Sequence, residues 1–159
     1  MADTALLDDI DDATPIGRCL RTWHGLFTGA PDTLERVLAD DVVLHSPVLF
    51  KPVHGKELVT LYLTGASMTF VGDDRRDDGA ATHEGRNEGG FRYVRVLTGE
   101  RDAVLEFETT MAGKYVNGVD MITCDDDGLI TDFKVMVRPQ QAVETVRQMM
   151  GAALERLQG

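Results

Sequence analysis

An acidic side chain in the middle of an apolar strand is the residue of this sequence best placed to do chemistry. Asp120 stands in the run Val116-Asn117-Gly118-Val119-Asp120-Met121-Ile122. An ionised, unpaired carboxylate in such surroundings costs on the order of several kcal/mol, so it must be neutral or paired. Neutral, Asp120 is a pocket acid that donates a hydrogen bond to a ligand oxygen. Paired, it is a structural partner for Arg138 or a loop amide. His45, beside Ser46, has the side chain suited to a base near neutral pH. Its competing reading is a partly buried histidine that fixes the Pro47 loop. Trp23 and Phe27 lie one helical turn apart and serve as core, as pocket wall, or as both. Glu106 and Glu108 alternate with Leu105 and Phe107. The alternation predicts Leu and Phe inward and both acids on the outer face. Two pocket carboxylates, the other option, would drive their pKa values apart.

Other groupings exclude more than they suggest. Asp125-Asp126-Asp127-Gly128 lacks the alternating ligands and distal Glu of a calcium loop and reads as a hairpin turn. Cys19 and Cys124 are far apart, with no CxxC spacing, so no metal site is expected. Two free thiols suit a reducing compartment. No Ser-His-Asp or Cys-His set can be read from spacing. The formal net charge of -11 opposes binding to nucleic acid or anionic membranes, which need clustered Lys and Arg. No apolar run approaches the roughly 20 residues of a membrane span. The opening Met1 to Asp12 is acidic and lacks the positive front and apolar middle of a secretion signal. The expected location is the cytoplasm.

The 159 residues suit one domain. We expect residues 1–13 to be a loose acidic tail and 14–159 to be the domain. Thr14-Pro15 is a helix start, with a hydroxyl cap and proline in the first turn. Ile16, Cys19, Leu20, Trp23, Leu26 and Phe27 give that helix one apolar face, and Gly29-Ala30-Pro31 ends it. A short helix carries Leu34, Val37 and Leu38. Val42 to Leu44 open a strand that Ser46-Pro47 closes. A third helix after Gly55 is expected to bury Leu58, Leu61, Tyr62 and Ala66. Met68 to Val71 reads as a short strand, and 72–90, charged and glycine-rich, as a mobile loop. Four strands follow, over 91–97, 103–112, 114–124 and 129–137, with turns at 98–102, Gly113 and 125–128. A last helix spans about 140–157. Helices packed on one face of an antiparallel sheet make an α+β fold.

Two segments carry a resemblance. Asp40-Asp41-Val42-Val43-Leu44-His45-Ser46-Pro47, with Pro52-Val53-His54-Gly55-Lys56-Glu57-Leu58-Val59, resembles the link between the second and third helices of nuclear transport factor 2-like proteins. Gly118 to Pro139, with its Asp-Asp-Asp-Gly turn, resembles that superfamily's last hairpin. With the element order, the likeness covers nearly all of the chain after Thr14. It implies a cone-shaped, strongly curved antiparallel sheet wrapped around helices, the cystatin-like α+β barrel, with a C-terminal helix. The superfamily includes ketosteroid isomerases, SnoaL-like polyketide cyclases, epoxide hydrolases and dehydratases. In the isomerases a protonated acid on the strand before the Asp-Gly turn donates to a developing oxyanion, and Asp120 falls at that position. The second donor, a tyrosine on the first helix, falls near Trp23. The general base falls on Ser46, beside His45.

The resemblance and the acid in an apolar strand together imply a cofactor-independent isomerase, cyclase or lyase. Its substrate would be a small, largely apolar carbonyl compound. Asp120 and His45 would be catalytic, and Trp23, Phe27, Ser46, Tyr62, Val116, Val135 and Val137 would contact substrate. The rival is a non-catalytic ligand-binding or assembly module of the same fold. In either case a homodimer through the outer sheet face is expected.

Overall fold

Thr14 caps helix α1 (Pro15–Thr28): its Oγ1 accepts from the Gly17 amide at 3.1 Å, the contact a Thr-Pro start favours. Gly29, at φ 80, ends the helix in the left-handed conformation that glycine tolerates best. The computed structural model describes residues 3–70 and 90–159. A short helix α2 (Thr33–Val37) leads directly into strand β1 (Leu38–His45), and a two-residue strand β2 (Val53–His54) pairs back on it. Helix α3 (Lys56–Phe70) follows, then strands β3 (Arg92–Thr98), β4 (Asp102–Met111), β5 (Lys114–Cys124) and β6 (Ile130–Arg138), and helix α4 (Gln140–Gln158).

The six strands form one curved, unclosed sheet in the order β2-β1-β6-β5-β4-β3. The sheet is mixed: β1 runs parallel to β6, whereas the other neighbouring pairs are antiparallel. The hairpin turns follow the local chemistry. Ala112 and Gly113 both have positive φ, the two-residue geometry that matches strand twist. Asp125 Oδ1 accepts the amides of Asp127 and Leu129 at 2.9 Å. Alternation along β4 buries Ala103, Leu105, Phe107, Thr109 and Met111 on the inner face. Glu106 and Glu108 point outward, where they pair with Arg95 at 3.3 Å and Arg92 at 2.9 Å. The helices cover the inner face, and Leu20, Trp23, Val59, Leu63, Phe133 and Val146 join one core.

Three expectations are revised. Met68 to Phe70 belong to α3, not to a strand; Val71 and the expected loop at 72–90 lie outside the described residues, Gly90 excepted. The buried line of α3 is Val59, Leu63, Gly65 and Thr69, with Leu58 exposed. That helix is apolar on nearly every side, so spacing alone leaves its phase open. The described part of the acidic stretch before Thr14 packs against the sheet. Leu7 is buried, the Tyr93 amide donates to the Asp3 carbonyl at 3.1 Å, and His24 Nε2 lies 2.9 Å from Thr4 Oγ1.

Candidate functional site

Asp120 sits at the centre of β5 with Leu105 of β4 on one side and Val135 of β6 on the other. All three side chains therefore face the helices. Tyr93 of β3 is on the same inner face, opposite Phe107. Its hydroxyl donates to Asp120 Oδ2 at 3.0 Å, and the indole Nε1 of Trp23, on α1, donates to the Tyr93 oxygen at 3.1 Å. All three side chains are buried. The result is a relay of three polar groups in series, with the carboxyl group at its end.

The relay lines a cavity of about 60 Å³ whose walls are otherwise largely apolar. Aromatic rings dominate the lining: Phe27, Phe70, Phe91, Phe107 and Phe133, besides Trp23 and Tyr93. They hold one another in place. Phe91 stacks on Phe27 and on Phe107, with centroids 5.4 and 5.2 Å away, and meets Tyr93 edge-on at 5.1 Å. Such pairs add to the stability of the wall beyond plain burial. A second chamber, of about 30 Å³, is lined by Ser46, Tyr62, Val146, Met150 and neighbours. It shares Leu63, Ala66, Phe70 and Val135 with the first.

The surroundings set the protonation of the relay. Burial pushes the Asp120 carboxyl up to about 7, and the Tyr93 hydrogen bond opposes that rise in part. Burial, together with the neighbouring Asp120 charge, holds the Tyr93 phenol well above its usual value. At neutral pH Asp120 is thus divided between a hydrogen-bond donor and a proton acceptor, while Tyr93 keeps its proton.

The residues singled out in the sequence separate into three groups. Asp120, Trp23, Phe27 and Val135 line the first chamber. Ser46 and Tyr62 line the second, together with Val135, and the Ser46 hydroxyl accepts from the Val48 amide at 3.3 Å. His45, Val116 and Val137 line neither. His45 is opposite Lys134 on the outer face, because alternation from inward-facing Leu44 turns it away; its Nε2 is 2.9 Å from Asp132 Oδ2. Val116 is fully buried opposite Thr109, and Val137 lies opposite Gly118, two residues along β6 from Val135. The structural-partner reading of Asp120 also fails on Arg138. Arg138 is opposite Asn117, three residues from Asp120 along β5 and so on the other face of the sheet. Tyr93 is the residue the sequence reading missed. A tyrosine two positions from Phe91, in a strand with an inner face, was the available signal.

Among solved structures, a steroid delta-isomerase from Pseudomonas aeruginosa is 30% identical to this chain, with a TM-score of 0.75. The match covers 94% of this chain and 96% of that one. This chain belongs to the nuclear transport factor 2-like superfamily. A second relative of the same architecture is a Silicibacter pomeroyi protein described as having a cystatin-like fold. It is 28% identical with a TM-score of 0.66, over 83% of this chain and 81% of that one. A nuclear transport factor 2-like protein of unknown function from Mesorhizobium loti shares the fold at 16% identity and a TM-score of 0.60, over 81% and 96% of the two chains. No protein-family model matches the sequence, and no curated protein does.

The first helix supplies the indole of Trp23 to this chamber, and β3 supplies the phenol of Tyr93. Among the described residues, no group of three or more His, Cys, Asp or Glu is placed to hold a metal ion. No described helix is long and apolar enough to cross a membrane.

Proposed function

We propose that this chain is a small-molecule pocket protein whose Asp120 binds, and exchanges a proton with, the oxygen of a small apolar carbonyl compound. The observation that carries the reading is the Trp23–Tyr93–Asp120 relay in an otherwise apolar chamber. A carboxyl group that titrates near neutrality can donate to a ketone oxygen and stabilise the enolate that forms when a neighbouring carbon passes its proton to water. That chemistry is shared by isomerases, cyclases and lyases that use no cofactor. Likeness to a steroid delta-isomerase supports this class. It does not carry that protein's substrate over, since fold and function part readily.

A non-catalytic binding module is the second reading, and one observation favours it. His45 faces outward, and among the described lining residues Asp120, Tyr93 and Tyr62 are the ionisable groups. Among the described residues, no separate base therefore stands opposite Asp120 in either chamber.

The testing experiment is a binding titration of phenol, an enolate mimic, followed through Trp23, the one tryptophan. We expect saturable binding that weakens at least tenfold in Asp120→Asn. Binding indifferent to that substitution would remove Asp120 from the site. Turnover of a simple conjugated ketone would then separate the enzyme from the binding module.

The same reading includes a homodimer in the cytoplasm, formed through the outer sheet face by a single domain on which the described stretch before Thr14 is packed. Leu97, Met121 and Met136 are exposed on that face, and Leu97 and Met121 flank Val104 in register. Sedimentation velocity should give a dimer that Met136→Glu weakens; a wild-type monomer at micromolar concentration would reject it.

A further inference from the structure

Cys19 on α1 and Cys124 at the end of β5 are both free and both buried. Alternation along β5 puts Asp120, Ile122 and Cys124 on the inner face. Cys19 belongs to the face of α1 that also buries Ile16, Leu20 and Trp23. The two thiols meet there, the Cys19 S–H donating to the Cys124 sulfur. We propose that Cys19 and Cys124 are an intramolecular disulfide site, closed by exchange with a low-molecular-weight disulfide.

The contacts around the pair anchor the two elements on each other. The Ile16 amide donates to the Glu100 carbonyl at 3.1 Å, and the Cys124 amide donates to the Arg101 carbonyl at 2.9 Å. The Arg18 guanidinium donates to the Asp126 carbonyl at 2.9 Å. Gly128, in the same turn as Asp126, is so near α1 that a Cβ there would stand 3.4 Å from the Cys19 nitrogen. The start of α1 is thus fixed to both turns beside Cys124. Side chains already in contact leave little backbone movement for closure to require.

The surroundings give the two sulfurs different roles. Burial holds both thiols above their usual range; at Cys124 the charge of Asp125 adds to the rise, whereas the Cys19 hydrogen bond and the Arg101 guanidinium oppose it. The thiolate is the nucleophile in exchange, so Cys124 attacks and Cys19 resolves. The Cys124 thiolate displaces one thiolate from the small disulfide and forms a mixed disulfide. Cys19 then gives up its proton to a released thiolate and attacks the Cys124 sulfur, which expels the second small thiol. Two protein thiols are oxidised and one small disulfide is reduced to two thiols. Scarce thiolate makes this slow in the folded chain. Once closed, the bond ties α1 one turn from Trp23 to β5 four residues from Asp120. It also shortens the unfolded chain by a loop of about a hundred residues, the kind of link that stabilises most.

Refolding the reduced, urea-unfolded chain in a buffer of 2-hydroxyethyl disulfide and 2-mercaptoethanol tests the proposal, because unfolding gives both thiols access to the oxidant. Intact mass and peptide mapping after alkylation should find monomer linked between Cys19 and Cys124 in at least tenfold excess over mercaptoethanol adducts. The linked form should unfold at a higher urea midpoint than the reduced form. Free thiols or adducts predominating after refolding, or a linked form no more stable than the reduced one, would overturn the site. The roles are read on the folded single variants in the same buffer: Cys19→Ser should gain its adduct at Cys124 at least tenfold faster than Cys124→Ser gains one at Cys19. The opposite order would overturn the assignment of Cys124 as the attacking sulfur.

Discussion

The Tyr93 hydroxyl points at Asp120 Oδ2 from 3.0 Å, and its own oxygen is held by Trp23. The phenol therefore stabilises the charged carboxylate and partly opposes the effect of burial on it. In Tyr93→Phe the Asp120 carboxyl should titrate at still higher pH. The buried Trp23 Nε1 also loses its acceptor, a loss that costs about 1–3 kcal/mol. Urea unfolding of the variant at pH 6 should show a loss in that range, and stability equal to wild type would contradict the relay.

Asp120 also shapes stability against pH. Its folded value, about 7, lies above the ordinary carboxylate range. Between about pH 4 and pH 7 the folded chain therefore keeps a proton that the unfolded chain has released, so stability falls as pH rises through that window. The loss is on the order of a few kcal/mol and is complete above about pH 7. Asp120→Asn removes it. The difference between urea midpoints at pH 5 and pH 8 should shrink in the variant, and an unchanged difference would place Asp120 in an ordinary environment.

Gly118 lies beneath the Phe107 ring. A Cβ there would stand 2.5 Å from Phe107 Cζ and 2.6 Å from the Met136 carbonyl oxygen. The ring can turn aside only by breaching the cavity wall it forms; the β6 backbone has no such freedom. Gly118→Ala should cost about 1–3 kcal/mol as an overpacked site and weaken phenol binding by displacing Phe107. A variant of wild-type stability and affinity would show that β5 and β6 stand further apart than described.

His45 serves as the control. Its side chain is on the outer face with Asp132, both partly exposed, a setting in which an ion pair contributes at most about 1 kcal/mol. His45→Ala should bind phenol as the wild type does and lose no more than that in stability. A tenfold loss of affinity would return His45 to the site.

How far the sequence could lead depended on what was local. The Thr14-Pro15 cap, the Asp125 turn and the alternation around Leu105 and Phe107 are local signals, and each element formed as its own residues require. Asp120 stood out because a carboxyl group in an apolar strand has few ways to be accommodated. Tyr93 did not, because its partner Asp120 is 27 residues away and only the pairing of three strands brings them together. The facing of His45 was readable in principle, since alternation from Leu44 turns it outward. The parallel pairing of β1 with β6 was not readable, because it joins strands 85 or more residues apart. The phase of α3 was hidden by apolar residues on nearly every side.

The most direct measurement is a carbon-13 carboxyl NMR titration of Asp120, assigned by its loss in Asp120→Asn, with and without 2-cyclohexenone. An Asp120 that donates to a ligand oxygen should titrate near pH 7 alone and at higher pH with the ketone bound, since the ketone favours the protonated form. A midpoint in the ordinary carboxylate range, unmoved by the ketone, would contradict the central claim that Asp120 is the oxygen-binding acid of this chamber.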